Sequence, residues 1–154
     1  MKKLLITAAA LIGLSGCATV PTVSDTEMKN AKEFKTPTAN QSGIYVYRIK
    51  SSFGGALKKD VWIDDECIGE TAPGVFFYHE VDGNKTHKIS TESEFSPNDL
   101  MLETKEGELY FVEQYIKMGA FVGGAGLKKV DSEKGKKEVL KLKMAKKGHC
   151  NSKK

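Results

Sequence analysis

The chain has 154 residues, of which 40% are hydrophobic and 29% charged, enough for one globular core and too few for a multidomain enzyme. Its formal charge of +4 is unevenly placed: residues 127–154 carry a net +8, and with Lys2 and Lys3 set aside the rest of the chain carries −6. A mean hydropathy of −0.37 and a single long apolar run, residues 4–14, exclude both global disorder and a polytopic membrane protein.

Met1-Lys2-Lys3, the apolar run and Leu14-Ser15-Gly16-Cys17 have the layout of a bacterial secretory signal that ends in small residues. The ending resembles the lipobox of bacterial lipoproteins. That resemblance implies cleavage after residue 16, a diacylglyceryl group on Cys17 and often a further acyl chain on the new amine. At about 0.8 kcal/mol per buried methylene, two chains anchor a protein stably where one gives only reversible binding. Ala18 follows. In the Gram-negative sorting logic of such lipoproteins an aspartate there favours the inner membrane, so the periplasmic side of the outer membrane is the expected location. The alternative is an ordinary signal peptide with Cys17 left as a thiol, or an uncleaved anchor.

Residues 17–42 read as the lipidated cysteine and a polar tether, 43–147 as the folded domain and 148–154 as a basic tail. Within the tether, Ser24 and Glu27 form a capping pair for a short helix carrying Met28, Ala31 and Phe34, stopped at Thr36-Pro37. Seven runs rich in Val, Ile, Tyr and Phe follow, at 44–50, 60–64, 67–71, 75–81, 86–92, 100–104 and 109–117. Asp64-Asp65-Glu66, Pro73-Gly74, Asp82-Gly83-Asn84 and Lys105-Glu106-Gly107 supply turns between them. The expected fold is mainly β: a single antiparallel β-sandwich with a short C-terminal helix. Both alternating faces of 109–117 are apolar, which puts that strand in a sheet interior covered on both sides.

Residues 118–127 are glycine-rich but lack the Lys-Ser/Thr step of a phosphate loop. They read as a wide hairpin connection or bulge, or as an exposed Phe121-Val122 tip that meets a membrane or a partner. Ser132 caps a helix over 133–147 with Val139, Leu140 and Met144 on its apolar side and Gly148 at its end. Gly135 weakens that helix by about 1 kcal/mol.

The succession Ile44-Tyr45-Val46-Tyr47-Arg48, Val61-Trp62-Ile63-Asp64-Asp65 with Ile68-Gly69, Phe76-Phe77-Tyr78 and Glu108-Leu109-Tyr110-Phe111-Val112 resembles a family of bacterial lipoproteins catalogued as domain of unknown function 2846. The likeness extends over about residues 31–144. Where that family tends to show Pro-Gly before a His or Lys, this chain has Asn84-Lys85-Thr86-His87 after Asp82-Gly83. The resemblance implies an envelope lipoprotein with a compact β-rich domain and supplies no established chemistry to transfer.

Few residues carry chemistry. Arg48 is the only arginine against twenty-three lysines; its planar fork suits a ligand carboxylate or phosphate, and equally an internal salt bridge with an acid. Cys67 and Cys150 remain once Cys17 is lipidated, and in an oxidising compartment they either pair or stay as two thiols. His79 and His87 fall in separate strands, Asp64, Asp65 and Glu66 in a turn, and no Gly-x-Ser-x-Gly element is present. Neither a metal site nor a cofactor is expected. The basic C-terminal end is a solvated face or an attraction to an anionic envelope polymer or head group, and nucleic acid is not expected. These features point to a non-catalytic envelope interaction or structural module, attached to the membrane by lipid and meeting another envelope protein or polymer. The alternative is a periplasmic hydrolase or small-ligand-binding protein.

Overall fold

The structure, a computed structural model, describes residues 16–93, 98–119, 121 and 123–151. The expected leader run, Val122 of the glycine-rich tip and the last three residues of the basic tail lie outside the described residues.

Among the described residues nine strands form two packed sheets. Strand β1 (Gln41–Arg48) is the centre of a five-stranded sheet, with β4 (Val75–Asp82) antiparallel on one side and β7 (Leu109–Lys117) on the other. Strands β8 (Gly124–Val130) and β9 (Lys143–Met144) close its two edges, giving the order β8-β7-β1-β4-β9. The second sheet has the order β3-β2-β5-β6, from β2 (Lys59–Ile63), β3 (Glu66–Thr71), β5 (Thr86–Thr91) and β6 (Asn98–Glu103). Alternation along β1 explains the layering. Ile44 and Val46 enter the core between the sheets, with Val61, Ile68, Phe77 and Ile89, while Tyr45 and Tyr47 point to the opposite face. That outer face, with Phe76 and Phe111, is covered by helix α1 (Asp25–Ala31), helix α2 (Ser132–Leu140) and the chain after it. The molecule is the mainly β sandwich with a short C-terminal helix that the sequence pattern implies, with helices as a third layer.

Four elements differ from expectation. First, β1 with β7 and β4 with β9 pair parallel within an otherwise antiparallel sandwich. After β4 the chain crosses to the second sheet for β5 and β6, so β7 returns from the same end as β1. Second, 124–130 is an edge strand rather than a connection. Gly126 lies opposite Tyr115, and a Cβ on it would sit 2.6 Å from the Tyr115 ring, so the glycine leaves room for the neighbouring aromatic side chain. Third, α2 stops at Leu140 and Asp131, not Ser132, caps it by accepting from the amides of Glu133 and Lys134. The segment expected to continue the helix pairs with β4 instead, through Lys143 N to Gly74 O (3.0 Å) and Ala145 N to Phe76 O (2.8 Å).

Fourth, the stretch read as a tether is packed into the fold. Ala18 N donates to Gly55 O (2.8 Å), Val23 N to Met144 O (3.1 Å) and Lys146 N to Pro21 O (2.9 Å). Val20 packs on the core between the sheets, and Val23, Met28, Ala31 and Phe34 on the aromatic outer face. Ser24 Oγ caps α1 by accepting from Glu27 N, as its sequence indicates. Apolar residues spaced through a polar stretch are what allow it to cover the sheet rather than extend into water.

Gly135 shows the packing limit of α2. An alanine there adds about 1 kcal/mol of helix propensity, but its Cβ would lie 2.3 Å from Phe111 Cγ, and overpacking of that kind costs about 1–3 kcal/mol. Urea denaturation of Gly135→Ala is expected to show a net loss of stability; a gain would mean that α2 does not press on β7.

Candidate functional site

Arg48 ends β1 and is 3% exposed. Its Nη1 donates to Leu57 O and its Nη2 to Gly54 O, each at 2.6 Å. Among the described residues its guanidinium thus bonds backbone carbonyls rather than the carboxylate expected for an internal salt bridge. The reason is local: the loop after β1 folds back over the strand end, with Gly54 in the left-handed region (φ 69°), and turns its carbonyls onto the guanidinium. Burial lowers the Arg48 pKa from its ordinary value. What the residue does is hold the loop that carries Phe53 and that receives Ala18 through Gly55.

Cys67 and Cys150 are joined in a disulfide with Cα atoms 5.9 Å apart. Gly148 N donates to Ile68 O (3.1 Å), so the expected tail lies along β3 as far as the bridge. With a sequence separation of 83, the chain-entropy account assigns such a bridge about 4 to 5 kcal/mol. Cys17 is exposed and lies outside the disulfide. Among the described residues no group of three or more His, Cys, Asp and Glu side chains could hold a metal ion, and no helix is long and apolar enough to cross a membrane.

At one end of the sandwich, a hollow of about 220 Å³ brings together Asp64, Glu66, His79, Glu80, Asp82 and His87, which the sequence scatters over four strands and turns. Asp64 and Asp65 form the β2–β3 turn, both left-handed (φ 50° and 69°) as a two-residue hairpin connection requires. This geometry aims the Asp64 carboxylate at His87, Nδ1 to Oδ2 2.6 Å, while Lys88 N donates to its other oxygen (2.9 Å). The second ring nitrogen, Nε2, is 2.8 Å from Asp82 O. Both nitrogens of His87, which is 4% exposed, are therefore engaged within the protein. His79 is lowered from its ordinary pKa by burial and by the Lys147 cation, whose Nζ lies 2.7 Å from Nδ1. Among the described residues that line the hollow there is no Ser, Thr or Cys to act as a nucleophile. The arrangement ties β5 to the β2–β3 turn.

The larger concavity, about 900 Å³, lies between α1 and the outer face of the five-stranded sheet, within the size range of ligand clefts. Tyr45, Tyr78 and Glu80 lie at its base, and Lys35, Lys146 and Lys147 stand around it. Tyr45 donates to Ala31 O (2.6 Å) and Tyr78 to Glu80 Oε1 (2.8 Å). Burial pushes both phenols well above their ordinary range, the Glu80 charge adding to the effect. Burial opposes ionisation of Glu80 too, but hydrogen bonds from Thr38 and Tyr78 outweigh it and hold the carboxyl below its ordinary value. The cleft thus offers an aromatic base, two carboxylates, Glu27 and Glu80, and three ammonium groups. The sequence pattern hides it because one wall is the stretch that reads as a tether.

The hollow yields a pH test. Burial raises the Asp64 pKa, but the hydrogen bonds from His87 and the Lys88 amide bring it below its ordinary value. A carboxyl depressed in the folded state stabilises the fold above its unfolded pKa of about 3.9 and loses that contribution as pH falls toward the folded value. Asp64→Asn keeps a residue tolerant of left-handed backbone and removes the charge. Its melting temperature is expected to be lower than wild type near neutral pH and to fall less steeply between about pH 4 and pH 3. Parallel pH curves for the two proteins would contradict the pairing.

Comparison with known proteins gives a relative and no chemistry. An uncharacterized protein of Haemophilus influenzae is 52% identical over 147 residues, covering 93% of this chain and 86% of that protein. No solved structure matches the chain. Residues 38–125, from just before β1 into β8, match the family described as "Protein of unknown function (DUF2846)", and with more than half of its length so matched the chain belongs to that family.

Proposed function

We propose that this protein is an outer-membrane lipoprotein, held on the periplasmic side by acyl chains on Cys17, and that it works as a non-catalytic envelope module that meets another envelope protein or an anionic envelope polymer. The observation that carries this reading is the state of its three cysteines. Cys67 and Cys150 are paired, a state that persists in exported compartments, while Cys17, directly after the leader-like run, is left exposed. The non-catalytic part is supported by the hollow, where both nitrogens of His87 and the near nitrogen of His79 are engaged by the protein itself.

A second reading, binding of a small ligand, is favoured by the cleft under α1. Its lysines, Lys146 and Lys147 with Lys35 held by Glu33, stand against Glu27 and Glu80 and suit a ligand with an anionic group and an apolar or planar part that rests on Tyr78.

Replacing Cys17 with serine tests the anchor. The variant is expected to accumulate as an unprocessed precursor or to leave the membrane fraction on cell fractionation. A cleaved Cys17→Ser protein that still sediments with the outer membrane would contradict the reading.

A further inference from the structure

Three segments far apart in sequence meet at the end of the sandwich opposite the histidine hollow. Cys17 reaches it through Ala18, whose amide donates to Gly55 O at 2.8 Å. The loop after β1 is held there by Arg48 through the carbonyls of Gly54 and Leu57. The β7–β8 connection packs on that loop: a Cβ on Gly54 would lie 2.7 Å from Ile116 Cγ1, and one on Gly123 2.7 Å from Leu57 Cδ1. The loop is therefore clamped between the residue after Cys17 and the base of the glycine-rich tip.

This end also collects apolar surface. Ile49, Phe53, Met118 and Phe121 are 39%, 55%, 85% and 90% exposed. Large apolar side chains projecting from two adjacent loops beside a lipid attachment point are not needed for the core, which is filled by other residues. The charge pattern agrees. Residues 49–58 and 117–124 contain Lys50, Lys58 and Lys117 and no acidic residue. Of the acids nearby, Glu70 and Glu92 are paired with Lys58 (3.6 Å) and Lys59 (3.5 Å), while Asp99 is exposed beside Asn98, which accepts from Lys117 Nζ (3.1 Å). The far end carries Asp64, Asp65, Glu66, Asp82 and Glu106 against Lys85, Lys88 and Lys105, of which Lys85 and Lys88 are paired with Asp82 and Asp65, an acidic excess that anionic head groups disfavour.

We propose that the end bearing Cys17, Phe53, Met118 and Phe121 is a bilayer-docking face, with the two phenylalanines inserted among the phospholipid head groups of the leaflet that holds the Cys17 chains. The proposal rests on the reading of Cys17 as the anchor. It deepens that reading by giving the domain a fixed attitude: the histidine hollow faces away from the bilayer. Lys50 and Lys117, in loops that contain no acidic residue, then meet the head-group phosphates, and the apolar tips reach the head-group and acyl boundary, as interfacial aromatic residues do.

The test uses the full protein purified from membranes and reconstituted into vesicles of phosphatidylethanolamine and phosphatidylglycerol, with and without brominated acyl chains. Phe53→Trp, Phe121→Trp and, as a control, Met101→Trp are compared with wild type, in which the native Trp62 is buried and sets the background. Met101 is 62% exposed but lies opposite Lys88, toward the far end of the sandwich. Bromolipid is expected to reduce the added emission of Phe53→Trp and Phe121→Trp about twofold or more and to leave Met101→Trp unchanged, as burial at the interface requires. Equal quenching at all three positions, or none, overturns the proposal. Flotation of the vesicles reads the anchor separately. Protein that does not float contradicts the reading of Cys17, and coupling that same thiol to a maleimide-bearing lipid then lets quenching decide docking on its own.

Discussion

Burial of β1 on both faces is the constraint from which the rest of the structure follows. Ile44, Val46, Tyr45 and Tyr47 are each 1% exposed or less, so the strand needs cover on two sides as well as partners along both edges. The second sheet supplies one cover, and α1, α2 and the N-terminal segment supply the other. Phe34 of that segment meets Tyr45 and Phe111 edge-on at 5.5 and 6.0 Å, while Tyr45 and Phe111 stack at 4.9 Å. A polar contact sets the register of the sheets against each other. Gln114 of β7 is fully buried and bonds Thr71 of β3 and, at 2.7 Å, Thr91 of β5. Such a side chain satisfies its donors and acceptors in one relative placement only, so it specifies the packing as well as stabilising it.

The same constraint links fold to function. Because the outer face of β1 must be covered, the residues after Cys17 are used as structure: Thr22 bridges Ala145, Val23 bonds Met144, and α1 lies over the aromatic cluster. On the proposed reading of Cys17, an anchor joined to such a segment would transmit the position of the membrane to the domain. A flexible tether of the same length would leave the domain to tumble. The disulfide acts at the other terminus, holding the basic C-terminal segment along β3. Residues 18–23 and 143–150 are thereby both fixed to the body, and the cleft between α1 and β9 has two walls whose spacing is set by the fold.

Much of this was legible in the sequence and the remainder was not, for identifiable reasons. All seven apolar runs are strands, because alternation and the turn residues between them are local signals, though positive φ falls on Asp64, Asp65 and Asn84 as well as on glycines such as Gly74 and Gly107. The apolar faces of 109–117 correctly indicate a strand covered on both sides, and Ser24 caps α1. Strand β8 is hidden because Gly123, Gly124 and Gly126 look like a loop when the Tyr115 ring opposite them is not in view. The parallel pairing of β1 with β7 and the early end of α2 depend on where the chain returns, which no local window contains. Arg48 is legible as special while its partners are not, since they are carbonyls and carry no side-chain signature. The hollow around His87 and the cleft under α1 exist only once distant segments are superposed.

The central claim is that the segment after Cys17 belongs to the folded body and so, on the proposed reading of Cys17 as a lipid anchor, couples that anchor to orientation. Amide hydrogen exchange read residue by residue by NMR tests it most directly, at Ala18, Val23 and Lys146, whose amides donate to Gly55, Met144 and Pro21. The account predicts exchange slowed by about two orders of magnitude or more relative to an unstructured peptide, with protection at Val23 and Lys146 lost together as one cooperative unit with β9. Exchange at Ala18 and Val23 at the rate of a free peptide, with β1 and β4 still protected, would contradict it and return residues 17–42 to the status of a tether.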